Sequence, residues 1–153
     1  MKSSLIILLL FASFVFAVPV DKRLLPNINP ASCNGFRITS PTVPYYSYTE
    51  GQCYQISFDK GASSVVNVTT VDLFKGCDNT LVARQFTGKV DVNTQIATPY
   101  FNLEFGDLPT ADYYYSVTAL TADGGTCTFI TVPFEGIADH VNPPAQCPKY
   151  PPS

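Results

Sequence analysis

The feature that most constrains the fold is a series of short segments in which apolar and polar residues alternate, with proline or glycine between them. In residues 52–58, for example, Tyr54, Ile56 and Phe58 share one face of an extended chain. This period of two is that of a β-strand, because successive side chains of a strand point to opposite faces of the sheet. No window has a sustained period of 3.6 residues, so the pattern favours an all-β chain.

Seven such segments can be distinguished, and they are rich in β-branched and aromatic residues, as half-buried strands are. They are residues 36–40, 52–58, 65–74, 80–86, 98–105, 111–120 and 126–132. We therefore predict an all-β domain over residues 35–137, an immunoglobulin/fibronectin-like two-sheet sandwich of about seven strands.

The segment 111–120 places Tyr113, Tyr115, Val117 and Ala119 on one face, which we expect to lie in the core. A buried phenolic hydroxyl needs a hydrogen-bond partner. We therefore expect the Tyr113 hydroxyl to bond to the backbone at a corner of the sandwich.

The segment 65–74 contains two conflicting phases, because Val66 and Val68 alternate out of step with Val71 and Leu73. Either a β-bulge separates the two pairs or the strand begins near residue 69. We favour the second alternative, which leaves Asn67 in a loop or at a strand edge. Asn67 opens the only Asn-X-Thr sequon, so we predict that the protein is a glycoprotein modified there.

The N-terminus has the pattern of a signal peptide. Lys2 is followed by an apolar run over residues 5–16 and by small residues ending at Ala17. The run is shorter than the ~20 residues that a transmembrane helix needs. We predict that residues 1–17 are removed and that the protein is secreted and extracellular, with no membrane segment in its mature form.

A dibasic pair, Lys22-Arg23, follows the signal peptide closely and resembles the cut site of a late-secretory processing protease. The alternative is a pair of solvated charges. The mature N-terminus is accordingly expected at Val18 or Leu24, and residues 18–34 are interpreted as a short pro-segment and extended leader. Residues 138–153 are interpreted as a proline-rich C-terminal tail.

The charge balance excludes several classes of function. Charged residues make up 14% of the chain, and the net charge is −3. A nucleic-acid surface needs clustered basic residues, so we expect no nucleic-acid partner. His140 is the only histidine and lies in the predicted tail, and no Cys-X-X-Cys pair occurs. We therefore predict no enzymatic activity, catalytic residue, metal or cofactor.

The five cysteines cannot all pair within the chain. If strands alternate up and down, Cys53 and Cys77 fall at one end of the sandwich and Cys33 and Cys127 at the other. We therefore predict the bonds Cys53–Cys77 and Cys33–Cys127, with Cys147 unpaired or linking two chains in a disulfide-bonded dimer. The main alternative joins Cys33 to Cys147.

Tyrosine is abundant, with nine copies, and three of them cluster between the first two predicted strands. Tyr45, Tyr46 and Tyr48 follow the break at Ser40-Pro41 and are expected in a loop, where such scaffolds carry recognition. Exposed rings there can stack on sugar rings and bond to glycan through their hydroxyls. The alternative is that they cover one end of the core.

Several short motifs together resemble the immunoglobulin-like N-terminal domain of yeast Kre9/Knh1-type and Ser/Thr-rich, GPI-anchored fungal cell-wall proteins. The motifs are residues 37–41 (RITSP), Gly51, 55–58 (QISF), 71–74 (VDLF) and 111–115 (ADYYY). Two departures stand out: Phe58 replaces the usual tryptophan, and the Ser/Thr-rich stalk and anchor are missing.

The resemblance implies a cell-surface context and association with wall β-glucan, without catalytic residues. We therefore predict a secreted, non-enzymatic fungal cell-wall-associated binding or structural module that recognises wall β-glucan. Its expected partners are cell-wall polysaccharide or a surface protein. The main alternative is a secreted effector or signalling-type protein that binds another protein, and an atypical glycosidase is the third.

Overall fold

A computed structural model describes residues 29–149. A 3₁₀ turn at Ala31–Cys33 precedes ten β-strands. The strands are β1 Arg37–Ser40, β2 Ser47–Thr49, β3 Cys53–Tyr54, β4 Ser57–Asp59, β5 Val65–Lys75, β6 Leu81–Asp91, β7 Phe101–Asn102, β8 Ala111–Thr121, β9 Thr126–Ile130 and β10 Phe134–Ile137.

The larger sheet has the order β2-β10-β8-β5-β6, and β9 also pairs with β8. β9 and β10 lie along the same side of β8, with Val117 opposite Phe129 and Tyr113 opposite Phe134. Pro133 lies in the break between them, where it has no N–H to give to a ladder. The short β2 pairs in parallel with β10 and forms one edge of this sheet.

The second layer consists of two short ladders, β1–β4 and β3–β7. Phe58 N–H donates to Ile96 O at 2.8 Å, and Thr98 N–H donates to Ile56 O at 2.9 Å. These bonds connect residues 53–58 with residues 96–102, so the two ladders form one layer facing the larger sheet. The predicted all-β two-sheet sandwich is confirmed.

The core lies between the layers and is lined by the expected face of β8, together with residues of β4, β5 and β10. Its largest fully buried side chains are Tyr113, Tyr115, Phe134, Ile56, Leu73, Leu103, Val65, Val68, Val71, Val90, Val117 and Thr98. The Tyr113 hydroxyl donates to Pro109 O at 2.8 Å. This is the predicted corner bond, a hallmark of immunoglobulin-type sandwiches.

The interpretation of residues 65–74 needs a correction, because β5 begins at Val65 rather than near residue 69. Its register against β8 shifts between Val65 and Asn67 and again between Val68 and Thr70. These bulges let Val68 share the core with Val71 and Leu73, while Val66 stays half-buried outside it. A bulged strand is the alternative that we did not favour. Asn67 therefore lies within a central strand, half-buried, opposite Asp91 of β6 and Leu120 of β8.

Candidate functional site: the tyrosine surface and the C-terminal strap

The backbone between β1 and β2 is fixed by its contacts with the segment around β10. Tyr45 N–H donates to Pro133 O at 2.9 Å, and Glu135 N–H donates to Tyr46 O at 3.0 Å. The Ser47 hydroxyl also donates to a Glu135 carboxylate oxygen at 2.7 Å. The predicted tyrosine loop is therefore held along an edge of the larger sheet.

The structure divides the three predicted tyrosines into two groups. Tyr45 and Tyr46 are 68% and 59% exposed, and Val43 beside them is 60% exposed. We call these three residues the tyrosine surface. Tyr48 is half-buried on β2, where its ring lies 4.5 Å from that of Tyr54 and 5.0 Å from that of Phe134. For Tyr48 the alternative that it covers the core holds, because its side chain packs onto the core beneath the surface.

Tyr45 has an unusual backbone, with φ at 58°. This left-handed region is sterically unfavourable for a residue with a bulky side chain and is an outlier for tyrosine. A residue in this region costs about 1–3 kcal/mol, and such residues cluster at functional sites. The surrounding hydrogen bonds hold Tyr45 in a conformation that presents its ring to solvent.

A group of phenol hydroxyls lies beneath the tyrosine surface. Tyr54 Oη accepts a hydrogen bond from Thr49 N–H at 2.9 Å. Burial, and then the neighbouring Tyr54, raises the pKa of Tyr48 above its ordinary value. Burial also raises the pKa of Tyr115 well above that value, with smaller contributions from Tyr48 and Tyr54. Burial thus favours the neutral hydroxyl at Tyr48 and Tyr115. At Tyr54 burial also raises the pKa, against the smaller lowering effect of the bond from Thr49 N–H.

The disulfide prediction is half right. Cys33 is bonded to Cys127, as predicted, with Cα atoms 5.8 Å apart. The predicted bond between Cys53 and Cys77 is wrong: Cys53 is bonded to Cys147, with Cα atoms 5.4 Å apart, and Cys77 is free. The physical reason is the path of the C-terminal segment, which runs back alongside Gly51 and brings Cys147 to β3.

This segment, residues 138–147, is not a free tail, and we call it the strap. Ala145 N–H donates to Gly51 O at 2.7 Å. Asn102 Nδ2 donates to Ala145 O and to Gly51 O, at 2.9 Å each. One main-chain hydrogen bond and the Asn102 side chain therefore join the strap to the sandwich next to β3.

Glu50 holds the other end of the strap. One carboxylate oxygen accepts from Phe105 N–H, and the other accepts from Asp139 N–H, both at 3.2 Å. The second oxygen also lies 3.3 Å from His140 Nδ1. His140 is more than half exposed, but it is not the isolated tail residue that we expected. Sequence reasoning missed Glu50, since nothing in its local pattern distinguishes it from other polar turn residues.

A cleft of about 410 Å³ lies between the strap and the sandwich. Its walls are Glu50, Gly51, Asn102, Leu103, Glu104 and Gly106 on one side and Asp139, His140, Asn142 and Pro144 on the other. A hydrogen bond from the Asn142 side chain lowers the pKa of Asp139, which keeps that carboxylate ionised. In the described part of the chain, no group of three or more His, Cys, Asp and Glu residues could hold a metal ion.

Cys77 lies exposed in the turn between β5 and β6. We expect one thiol per folded chain to react with a thiol reagent such as DTNB, and Cys77→Ser to abolish that reaction. A monomeric wild-type chain with no reactive thiol would contradict this pairing. Because Cys147 is paired, Cys77 is the cysteine available to link two chains in the predicted disulfide-bonded dimer. This dimer stays a prediction, and a non-reducing gel that compares the wild type with the Cys77→Ser variant checks it.

The processing residues Ala17, Lys22 and Arg23 lie outside the described residues. Glycosylation of Asn67 stays a prediction. The residue lies on the outer face of the larger sheet rather than in a loop. Within residues 29–149, no helix is long and apolar enough to cross a membrane.

The chain is similar to known proteins only at the level of solved structures. No family model matches it, and neither does any curated protein. Among solved structures, CopC from Methylosinus trichosporium OB3b is similar, with 13% identity and a TM-score of 0.39, over 65% of this chain and 89% of CopC.

Two other solved structures are similar to a comparable degree. Murine CRIg has 14% identity and a TM-score of 0.38, over 68% of this chain and 98% of CRIg. The fibronectin(III)-like modules of Clostridium thermocellum CbhA have 17% identity and a TM-score of 0.38, over 68% of this chain and 46% of that chain. At these scores, the similarities carry no inference about function.

Proposed function

We propose that the protein is a secreted, non-enzymatic binding module whose tyrosine surface stacks on the sugar rings of a neutral polysaccharide, fungal wall β-glucan in the first instance. The observation that carries this proposal is Tyr45, a bulky residue held at φ 58° and yet 68% exposed. Glycine would adopt this backbone conformation without strain. We therefore infer that the tyrosine ring is kept because it contributes to ligand binding.

The chemistry of the surface supports an uncharged ligand. Aromatic faces suit the apolar face of a sugar ring, and phenol hydroxyls donate to and accept from its hydroxyls. The protein carries a net charge of −3, which disfavours anionic polymers. The resemblance to Kre9/Knh1-type wall proteins points to the same class of ligand.

Co-sedimentation with insoluble β-glucan tests the proposal. We expect Tyr45→Gly combined with Tyr46→Ala to weaken retention about 30-fold, since each stacked ring contributes about 1 kcal/mol. Glycine at position 45 accepts the left-handed backbone, so the variant should keep its melting temperature. Tyr48 is left unchanged because its ring packs on Phe134.

Tyr100→Ala is the matched control, because Tyr100 is also exposed but precedes β7 in the second layer. It should bind glucan as the wild type does. If the wild-type protein stays entirely in the supernatant, the glycan proposal is wrong.

Binding of another protein is the second candidate function, and Val43 favours it. An exposed aliphatic side chain beside two tyrosines adds little to sugar stacking but is typical of a protein-binding patch. Val43→Ser should then weaken binding to a protein partner and leave glucan retention unchanged.

A further inference from the structure

The two disulfides enclose loops of equal length, because each joins cysteines 94 residues apart. The loop-closure contribution to stability is therefore the same for both in a chain-entropy description. What distinguishes them is their position in the fold.

The Cys33–Cys127 bond lies in the core, with the two cysteines 1% and 0% exposed. Cys53 and Cys147 are both partly exposed, at the outer side of the second layer. A disulfide is reduced when an external thiolate reaches one of its sulfur atoms, so access governs which bond reacts first. A reductant of moderate strength will therefore reach and reduce the Cys53–Cys147 bond while the Cys33–Cys127 bond stays protected.

The strap also lies largely outside the sandwich. Pro143, Pro144 and Gln146 are exposed, and Val141 is 89% exposed. Only Ala138, at its beginning, packs against the core cluster. Detaching residues 139–147 therefore leaves the buried side chains of both layers in contact.

Without the disulfide, only a few partly exposed contacts hold the strap. For residues 139–147 they are the bonds of Ala145 with Gly51 O and Asn102 Nδ2 and the contacts of Glu50 with Asp139 and His140. These contacts oppose the conformational entropy of nine backbone residues, which favours release.

We propose that Cys53–Cys147 is a reductant-sensitive latch whose opening releases the strap and one wall of the cleft while the sandwich stays folded. In each opening, an external dithiol transfers two electrons and two protons to the bond. The products are two cysteine thiols and the oxidised dithiol. Opening removes the bonds of Ala145 from Gly51 O and from Asn102 Nδ2, and the contacts of Asp139 and His140 from one Glu50 oxygen. The bonding positions left open become available to an extended polar ligand.

The test uses the mature chain carrying Cys77→Ser, so that no third thiol can exchange with either disulfide. The protein is titrated with dithiothreitol, alkylated, and mapped by mass spectrometry. We expect Cys53 and Cys147 to be alkylated together, at least about tenfold faster than Cys33 and Cys127. Simultaneous alkylation of all four cysteines would overturn the proposal.

Hydrogen exchange then separates release of the strap from unfolding. After selective reduction, the amides of Asp139 and Ala145 should exchange about 100-fold faster, while Val117 in β8 stays protected. The oxidised Cys53→Ser, Cys147→Ser variant should show the same pattern without reductant. Continued protection of Ala145, or loss of protection at Val117, in either sample would contradict a latch.

Discussion

Replacing Gly136 by alanine should destabilise the protein by about 3 kcal/mol, at the upper end of the usual cost of overpacking a core. A Cβ at this position of β10 would overlap the Phe105 ring and lie 2.6 Å from Tyr113 Cδ2. Those rings are stacked 4.5 Å apart and buried, so neither can move aside. The shift of the urea midpoint measures the loss.

Two further variants test whether lack of space for the added Cβ causes the loss of stability. Gly124→Ala introduces a methyl group at φ 82° with nothing within 4 Å, so it should cost only the backbone penalty of about 1 kcal/mol. Combining Gly136→Ala with Phe105→Leu should recover part of the loss. A Gly136→Ala protein as stable as the wild type would show that β10 does not pack under these rings.

Removing the buried disulfide by Cys33→Ala and Cys127→Ala should lower the free energy of unfolding by about 4 kcal/mol. The bond closes a long loop and ties the turn at Ala31–Cys33 to β9, and both sulfur atoms lie in the core. Chemical denaturation of the variant under oxidising conditions measures the effect.

The other disulfide provides a matched comparison, since it joins residues of equal sequence separation. Cys53→Ala with Cys147→Ala should cost clearly less, because the strap also gains freedom in the folded state. Equal losses for the two pairs would mean that the strap stays in place without its bond.

The strands that could be predicted from sequence are those with several alternating residues and a clear stop. β8 is the best case, with a buried face formed by every second residue and Asp123-Gly124-Gly125 as its turn. β2 and β10 were missed because they are three and four residues long. Such strands owe their conformation to pairing with distant residues rather than to local propensity.

The candidate site was predictable in position but not in detail. The sequence places Tyr45, Tyr46 and Tyr48 together, but only the pairing of β2 with β10 turns Tyr48 inward. The partner of Cys53 could not be foreseen for a related reason. The strap has no periodic pattern, and its path depends on hydrogen bonds at Gly51 and Asn102.

The pairing of β2 with β10 also fixes when the tyrosine surface can form. The bond between Ser47 and Glu135 joins residues 88 positions apart, and Tyr45 depends on Pro133. Since a ribosome delivers the chain from its N-terminus, the tyrosines leave the ribosome long before the residues that orient them. The tyrosine surface is therefore completed only after nearly the whole domain has been translated, so a nascent or truncated chain lacks the surface on which the proposed binding depends.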